Sequence, residues 1–244
     1  MKRLVTRLVT RLTTVLVLAA ALAGAGAGTA EAGRECDGLI VCIPVAGPWV
    51  QVFGGARPTY YQLACPGRDQ VIGGLDADRA GPLGISFLGT LGGPVGPGVT
   101  TGSAAVFVAH TVRSLSGFRP LLGCIPGGGG GGRGRTVYEP KRQLQAVAPT
   151  PEATVRRVKN VRLRDRARER VTHACLADER LLSFSAAVAF RTARPPSLAT
   201  FGSVRATARR RGERIVVDVR SGVARPQNVR VELQIQAVCA RGRS

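Results

Sequence analysis

The residues of this 244-residue chain that could do covalent chemistry are few, and those that could bind anions are many. There are two histidines, His110 and His173. Nucleophilic catalysis needs a base held beside a hydroxyl or thiol. His110 sits in the apolar run Ala104–Val112, and His173 stands two residues before Cys175. Neither lies in a recognisable motif, and the chain has no Gly-x-Ser-x-Gly elbow. Both histidines are therefore read as hydrogen-bonded structural residues. Asp76 and Asp78 form an Asp-x-Asp after Gly73-Gly74. Calcium needs six or more oxygens, so this pair is expected in a solvated turn. The glycine run Gly127–Gly132 lacks the following Gly-Lys-Ser/Thr of a phosphate loop. No catalytic residue, metal site or cofactor is expected.

Arginine is the chemistry that remains. The chain carries 35 Lys and Arg against 15 Asp and Glu, a net charge of +20. Gly33–Gly132 has six arginines against five acids, a net of +1, while Arg133–Ser244 has 25 basic residues against nine acids, a net of +16. An arginine-biased nucleotide content is the bland cause. In either case so basic a surface attracts polyanions. Guanidinium groups pair bidentately with phosphate and carboxylate. The candidate polyanion-binding residues are Arg156, Arg157, Lys159, Arg162, Arg164, Arg209, Arg210, Arg211, Arg214 and Arg230. Of these, Arg162, Arg164, Arg214 and Arg230 alternate with apolar residues and should point outward. Aromatic residues are scarce in this half, namely Phe184, Phe190 and Phe201 besides Tyr138. That disfavours sequence-specific reading of single-stranded nucleic acid.

Export is expected from the first 32 residues. Lys2, Arg3, Arg7 and Arg11 precede the apolar run Val15–Ala23, and Ala30-Glu31-Ala32 is a small-x-small cleavage site ahead of Gly33. The apolar run is too short to span about 30 Å of hydrocarbon. All six cysteines follow that site, which suits an oxidising compartment. No Cys-x-x-Cys pair exists, so zinc ligation is disfavoured.

The elements that must carry these residues read as strands. Trp49–Phe53, Thr59–Cys65, Ala104–Val112 and Phe118–Ile125 are the clearest in the first half, with Val71-Ile72 and Ile85–Leu88 as short candidates. Tyr61, Leu63 and Cys65 share a face by period-two spacing. Pro120 argues for a sheet edge. In the second half Ser203–Arg209, Glu213–Arg220 and Val229–Cys239 alternate, the last with Glu232, Gln234 and Gln236 on an expected solvent-facing side. Lys141–Val147 could form a brief helix. Valine-to-cysteine spacing is nearly the same in the two halves, 15 residues from Val50 to Cys65 and 14 from Val161 to Cys175. This repeat singles out the pairs Cys36–Cys42, Cys65–Cys124 and Cys175–Cys239 from the 15 possible pairings.

The fold class expected is all-β: two small disulfide-stapled β-sandwich, immunoglobulin-like domains joined by a Gly/Pro-rich linker. The boundaries are 1–32 for the signal peptide, 33–48 for a leader with a short cysteine loop, 49–126 and 155–240 for the sandwiches, and 127–154 for the linker. Cys65-Pro66-Gly67, Gly73-Gly74 and Val238-Cys239-Ala240 resemble the opening and closing signatures of secreted bacterial proteins built from cysteine-bounded β modules. The second half has Cys175-Leu176-Ala177 and lacks the Pro and Gly. The resemblance implies no activity. The tryptophan that an immunoglobulin domain holds between its cysteines is missing from both halves, the only one being Trp49. The function expected is an exported, non-enzymatic protein adhering by charge to an anionic envelope polymer or surface. The alternatives are a secreted hydrolase with a site assembled by the fold, which would hold His110 or His173 beside a serine and a carboxylate, and an assembly subunit whose basic face meets an acidic partner.

Overall fold

Period-two alternation and β-branched residues build strands through almost the whole chain. The computed structural model describes residues 34–55, 57–89, 102–112, 115–127, 144–146, 154–164, 167–222 and 229–242. The expected signal peptide and most of the 127–154 linker lie outside the described residues. The described part of the chain is nearly all β and carries three disulfides. Its only helical pieces are a 3-10 turn at Arg34–Cys36 and a short helix at Leu198–Gly202 capped by Ser197. The three bridges join Cys36 to Cys42, Cys65 to Cys124 and Cys175 to Cys239, as the repeat predicts.

One sheet runs through the molecule. It contains β1 (Ile43–Ala46), β2 (Trp49–Val52), β4 (Gln70–Ala80), β7 (Ser116–Pro126), β9 (Thr154–Arg162), β11 (Glu179–Arg191) and β14 (Arg230–Arg241). β7 is flanked by β4 on one side and by β1 and then β2 on the other. β14 lies between β11 and β9. The two groups meet where β2 pairs with β11, Val50 opposite Ala189 and Trp49 opposite Phe190.

Two smaller sheets cover this one. The first is β3 (Thr59–Ala64), β6 (Ala104–His110), β5 (Gly84–Gly89) and β8 (Leu144–Ala146) in spatial order. The second is β10 (Arg168–Ala174), β13 (Arg214–Ser221) and β12 (Val204–Arg211). Alternation along β11 separates their cores. Ala187 and Ala189 join the cluster of Tyr61, Phe107, Phe118 and Leu122, while Val188 and Phe190 join that of Ile215, Val217, Leu233 and Ile235. β2 divides in the same way, with Val50 and Val52 in the first cluster and Trp49 in the second. Cys65–Cys124 ties the end of β3 to β7, and Cys175–Cys239 ties the end of β10 to β14, so each long bridge links a covering sheet to the shared one. Each closes a loop of about 60 residues, worth about 4 kcal/mol in the chain-entropy model.

The pairing pattern occurs twice. β2-β7-β4 under β3-β6-β5 is matched by β9-β14-β11 under β10-β13-β12. The match extends to a bulge. The β4–β7 register shifts just after Ile72 pairs with Cys124, and the β11–β14 register shifts just after Leu181 pairs with Cys239.

Four local expectations need correction. Asp76 and Asp78 lie within the long strand β4, not in a turn, because the run from Gln70 pairs continuously with β7 around its bulge. Pro120 lies inside the sheet. Its carbonyl accepts from the Gly47 N–H at 2.8 Å, so its missing N–H faces the break between β1 and β2, where no ladder bond is required. Leu144–Ala146 forms a strand parallel to β5 and not a helix. The polar side of β14 is buried and does not face solvent: Glu232, Gln234 and Gln236 are all covered.

Candidate functional site: an arginine face

Three strands of like alternation bring arginines together. On β10, β12 and β13 every second residue enters the core, including Val171, Val204, Ile215, Val217 and Val219. The intervening residues form the outer face. Register places Arg168, Arg220 and Arg205 side by side in one row. The next row is Arg170, Asp218 and Thr207, followed by Thr172, Val216 and Arg209, then Ala174, Arg214 and Arg211. Neighbouring strands lie about 4.8 Å apart, and the first and last rows about 20 Å.

The face carries one acid. Asp218 accepts from Arg170 Nε at 2.7 Å and from Arg209 Nη1. The hydrogen bond from Arg170, reinforced by Arg209, holds its carboxyl below the ordinary range. Arg168, Arg205, Arg211, Arg214 and Arg220 are exposed, and among the described residues no acidic partner is found for them. Arg205 lies over the Phe53 ring at 5.8 Å. Like charges directly opposite on neighbouring strands destabilise a sheet, so the Arg168-Arg220-Arg205 row carries a cost in the free protein.

The ten residues singled out in the sequence divide accordingly. Arg209, Arg211 and Arg214 fall on this face. Lys159 stands at its β10 side, donating to the Thr172 carbonyl at 2.9 Å, and the exposed Arg162 and Arg164 follow along β9 and beyond its end. Four others are engaged within the protein. Arg156 is largely buried, donates to Gln236 Oε1 at 2.8 Å and lies over the Tyr60 ring at 5.9 Å; burial lowers its pKa. Arg157 makes a two-pronged ion pair with Glu179, at 2.6 Å from Nε and 2.5 Å from Nη2. Arg210 pairs with Glu213 in the β12–β13 turn, and Arg230 shares Glu232 with Arg191, both at 2.8 Å. Sequence reasoning missed Arg168, Arg170, Arg205 and Arg220. Each alternates with core residues, but only the three-strand register shows that they form one surface.

The remaining candidates are dispersed. His110 ends β6 with its ring exposed and packed over Gly84. The His173 Nε2 lies 3.1 Å from the Arg157 carbonyl. Among the described residues the one tight cluster of metal-ligating types is Cys175, Glu179 and Cys239, and its two sulfurs are already joined in a disulfide. No described helix is long and apolar enough to cross a membrane. No family model, curated protein or solved structure matches the chain.

Proposed function

We propose that this is an exported, non-enzymatic adhesion protein of two fused β-sandwich modules, immunoglobulin-like in plan, whose second module binds an anionic envelope polymer through the outer face of β10-β13-β12. The observation that carries this reading is the row Arg168, Arg220 and Arg205, in register and without acidic partners among the described residues. A polymer with repeated phosphate or carboxylate groups relieves that repulsion and gains charge-assisted hydrogen bonds. Arginines spread over rows about 20 Å apart suit a long flexible chain better than a compact ligand. The three disulfides suit an oxidising, extracellular setting.

The test is retention on a phosphate-bearing matrix as ionic strength is raised. The wild-type protein should be held at low salt and released as salt screens the charges. Arg168→Gln/Arg205→Gln/Arg220→Gln should elute at clearly lower salt. Arg34→Gln/Arg57→Gln/Arg68→Gln removes the same charge from the first half and should elute near wild type. Equal loss in the two triple variants would show that only net charge matters and would sink the assignment of the face.

A further inference from the structure

We infer that the free edge of β12 is a strand-addition site for an extended acidic segment of a partner protein. The internal repeat points to it. By order in the chain and by pairing, β12 in the second half corresponds to β5 in the first, the one lying beside β13 and the other beside β6. The outer edge of β5 is occupied: β8 adds to it in parallel, Leu144 opposite Ile85 and Ala146 opposite Phe87. The equivalent edge of β12 carries no strand among the described residues. Main-chain pairing along such an edge gives affinity, and alternate side chains give specificity. The inference concerns this edge and not the arginine face, and it stands without the polymer reading.

Pairing with β13 fixes which groups the edge offers. Gly212 and Glu213 form a two-residue turn, Gly212 at a φ of +57°, between the paired Arg211 and Arg214. Residues flanking such a turn exchange both main-chain hydrogen bonds, and the exchange recurs at every second pair. Arg205, Thr207, Arg209 and Arg211 therefore bond to β13, and the N–H and C=O groups of Ala206, Ala208 and Arg210 point away from it. The Val204 carbonyl agrees with this phase, since it accepts from Gln51 Nε2 at 3.2 Å on the outer side. Further along, no hydrogen bond is found to the outward groups of those three residues among the described residues. Other edges are engaged by side chains. Gln234 takes both main-chain groups of Gln62 on β3, Lys159 takes the Thr172 carbonyl on β10, and His173 meets the Arg157 carbonyl on β9.

Charge selects the occupant. Arg205 and Arg211 are exposed and stand on the same side of the strand, about 20 Å apart. Between them Arg209 is already paired with Asp218. A second copy adding through its own β12 would set arginine beside arginine, which destabilises a pair. A strand with carboxylates at positions i and i+6 sets them beside Arg205 and Arg211 instead. Its alternate side chains then lie beside the small, half-buried Ala206 and Ala208. Charges on an edge ordinarily keep strands off; here the same charges admit an acidic one.

The probe is the capped heptapeptide Glu-Val-Glu-Val-Glu-Val-Glu, titrated into the oxidised protein at about 0.15 M salt. In parallel addition, as β8 adds to β5, the valines stand opposite Ala206, Ala208 and Arg210, and the glutamates on either side of them supply the ladder hydrogen bonds. N-methylation of the glutamate nitrogens keeps every charge and should weaken binding about tenfold or more, whereas N-methylation of the valine nitrogens should leave it within about twofold. Ala208→Pro removes an outward N–H and spares the β13 ladder. It should weaken binding of the unmodified peptide about tenfold and leave retention on the phosphate matrix unchanged. Ala206→Pro serves in the same way where Ala208→Pro does not fold. Absence of binding by the unmodified peptide overturns the proposal. So does equal affinity of the two methylated peptides, or a folded proline variant that binds the peptide as the wild type does, since either would leave charge alone as the cause.

Discussion

Single residues in this protein are used against the grain of its charge, and Glu179 is the clearest case. It is almost wholly buried, accepts both prongs of Arg157 and takes the Leu176 N–H at 3.0 Å. The Arg157 hydrogen bonds, helped by that backbone donor, hold its carboxyl at about 2. The sign follows from the depression. The folded state binds the proton less tightly than the unfolded chain, so the stabilisation is complete above the ordinary value of 4.5 and is lost as pH falls from there toward about 2. Glu179→Gln should thus be less stable than wild type at neutral pH, and the gap should close through that window. Urea midpoints at pH 7, 4 and 2 check it. A constant gap across the three would mean that packing, not the ion pair, is what Gln disturbs.

At the scale of elements, β14 marks where sequence pattern stops being informative. Its alternation identified the strand and the set Val231, Leu233, Ile235, Ala237 and Cys239 that faces one core. Period two also assigned Glu232, Gln234 and Gln236 to the opposite side, correctly. What the pattern cannot report is that this opposite side is covered. The hint is chemical: glutamine is neutral and can satisfy both donors and acceptors when buried. Gln234 does so against β3. Its Oε1 accepts the Gln62 N–H at 2.6 Å, and its Nε2 donates to the Gln62 carbonyl at 2.9 Å and to Asn160 Oδ1 at 2.9 Å. Gln236 extends the chain by donating to Gln234 Oε1 and accepting from Arg156. Gln234→Ala leaves the main-chain groups of Gln62 without these partners in a covered site. The cost should be about 2–4 kcal/mol, read from chemical unfolding at pH 7. A loss below about 0.5 kcal/mol, within the range of ordinary surface substitutions, would mean that water replaces the side chain and that β14 and β3 are not clasped. The arginine face has the same origin. Alternation marks each arginine as outward-facing, whereas the register among β10, β13 and β12 is a long-range property that no window of sequence contains.

At the scale of the molecule, the six glycines at 127–132 suggest two units that fold apart, yet the described halves interpenetrate. Trp49 from the first half is buried among Phe190, Phe201 and Leu233 of the second, and Ala187 and Ala189 of the second are buried among Val50 and Phe118 of the first. Gln51 on β2 donates to the carbonyls of Phe201 and Val204, and the Gln62–Gln234 clasp closes the other side. Separating the halves would expose Trp49, strip the β2 and β11 edges of their mutual hydrogen bonds, leave the Gln51 amide without the Phe201 and Val204 carbonyls, and take from Gln234 both of its bonds to Gln62. Modules of about 80 residues have little stability to spare for such losses. The oxidised chain from residue 33 should therefore melt in one calorimetric transition, with van't Hoff and calorimetric enthalpies in agreement. A fragment of residues 154–244, expressed alone with Cys175–Cys239 formed, should melt well below the full chain. Two resolved transitions, or a fragment as stable as the whole, would mean that the shared sheet is an incidental contact between independent sandwiches. The outcome bears on adhesion as well. With the halves coupled, tension applied to the second is borne by the β2–β11 ladder and the buried glutamines before it reaches the first, so the arginine face would be held by a rigid body and not on a tether.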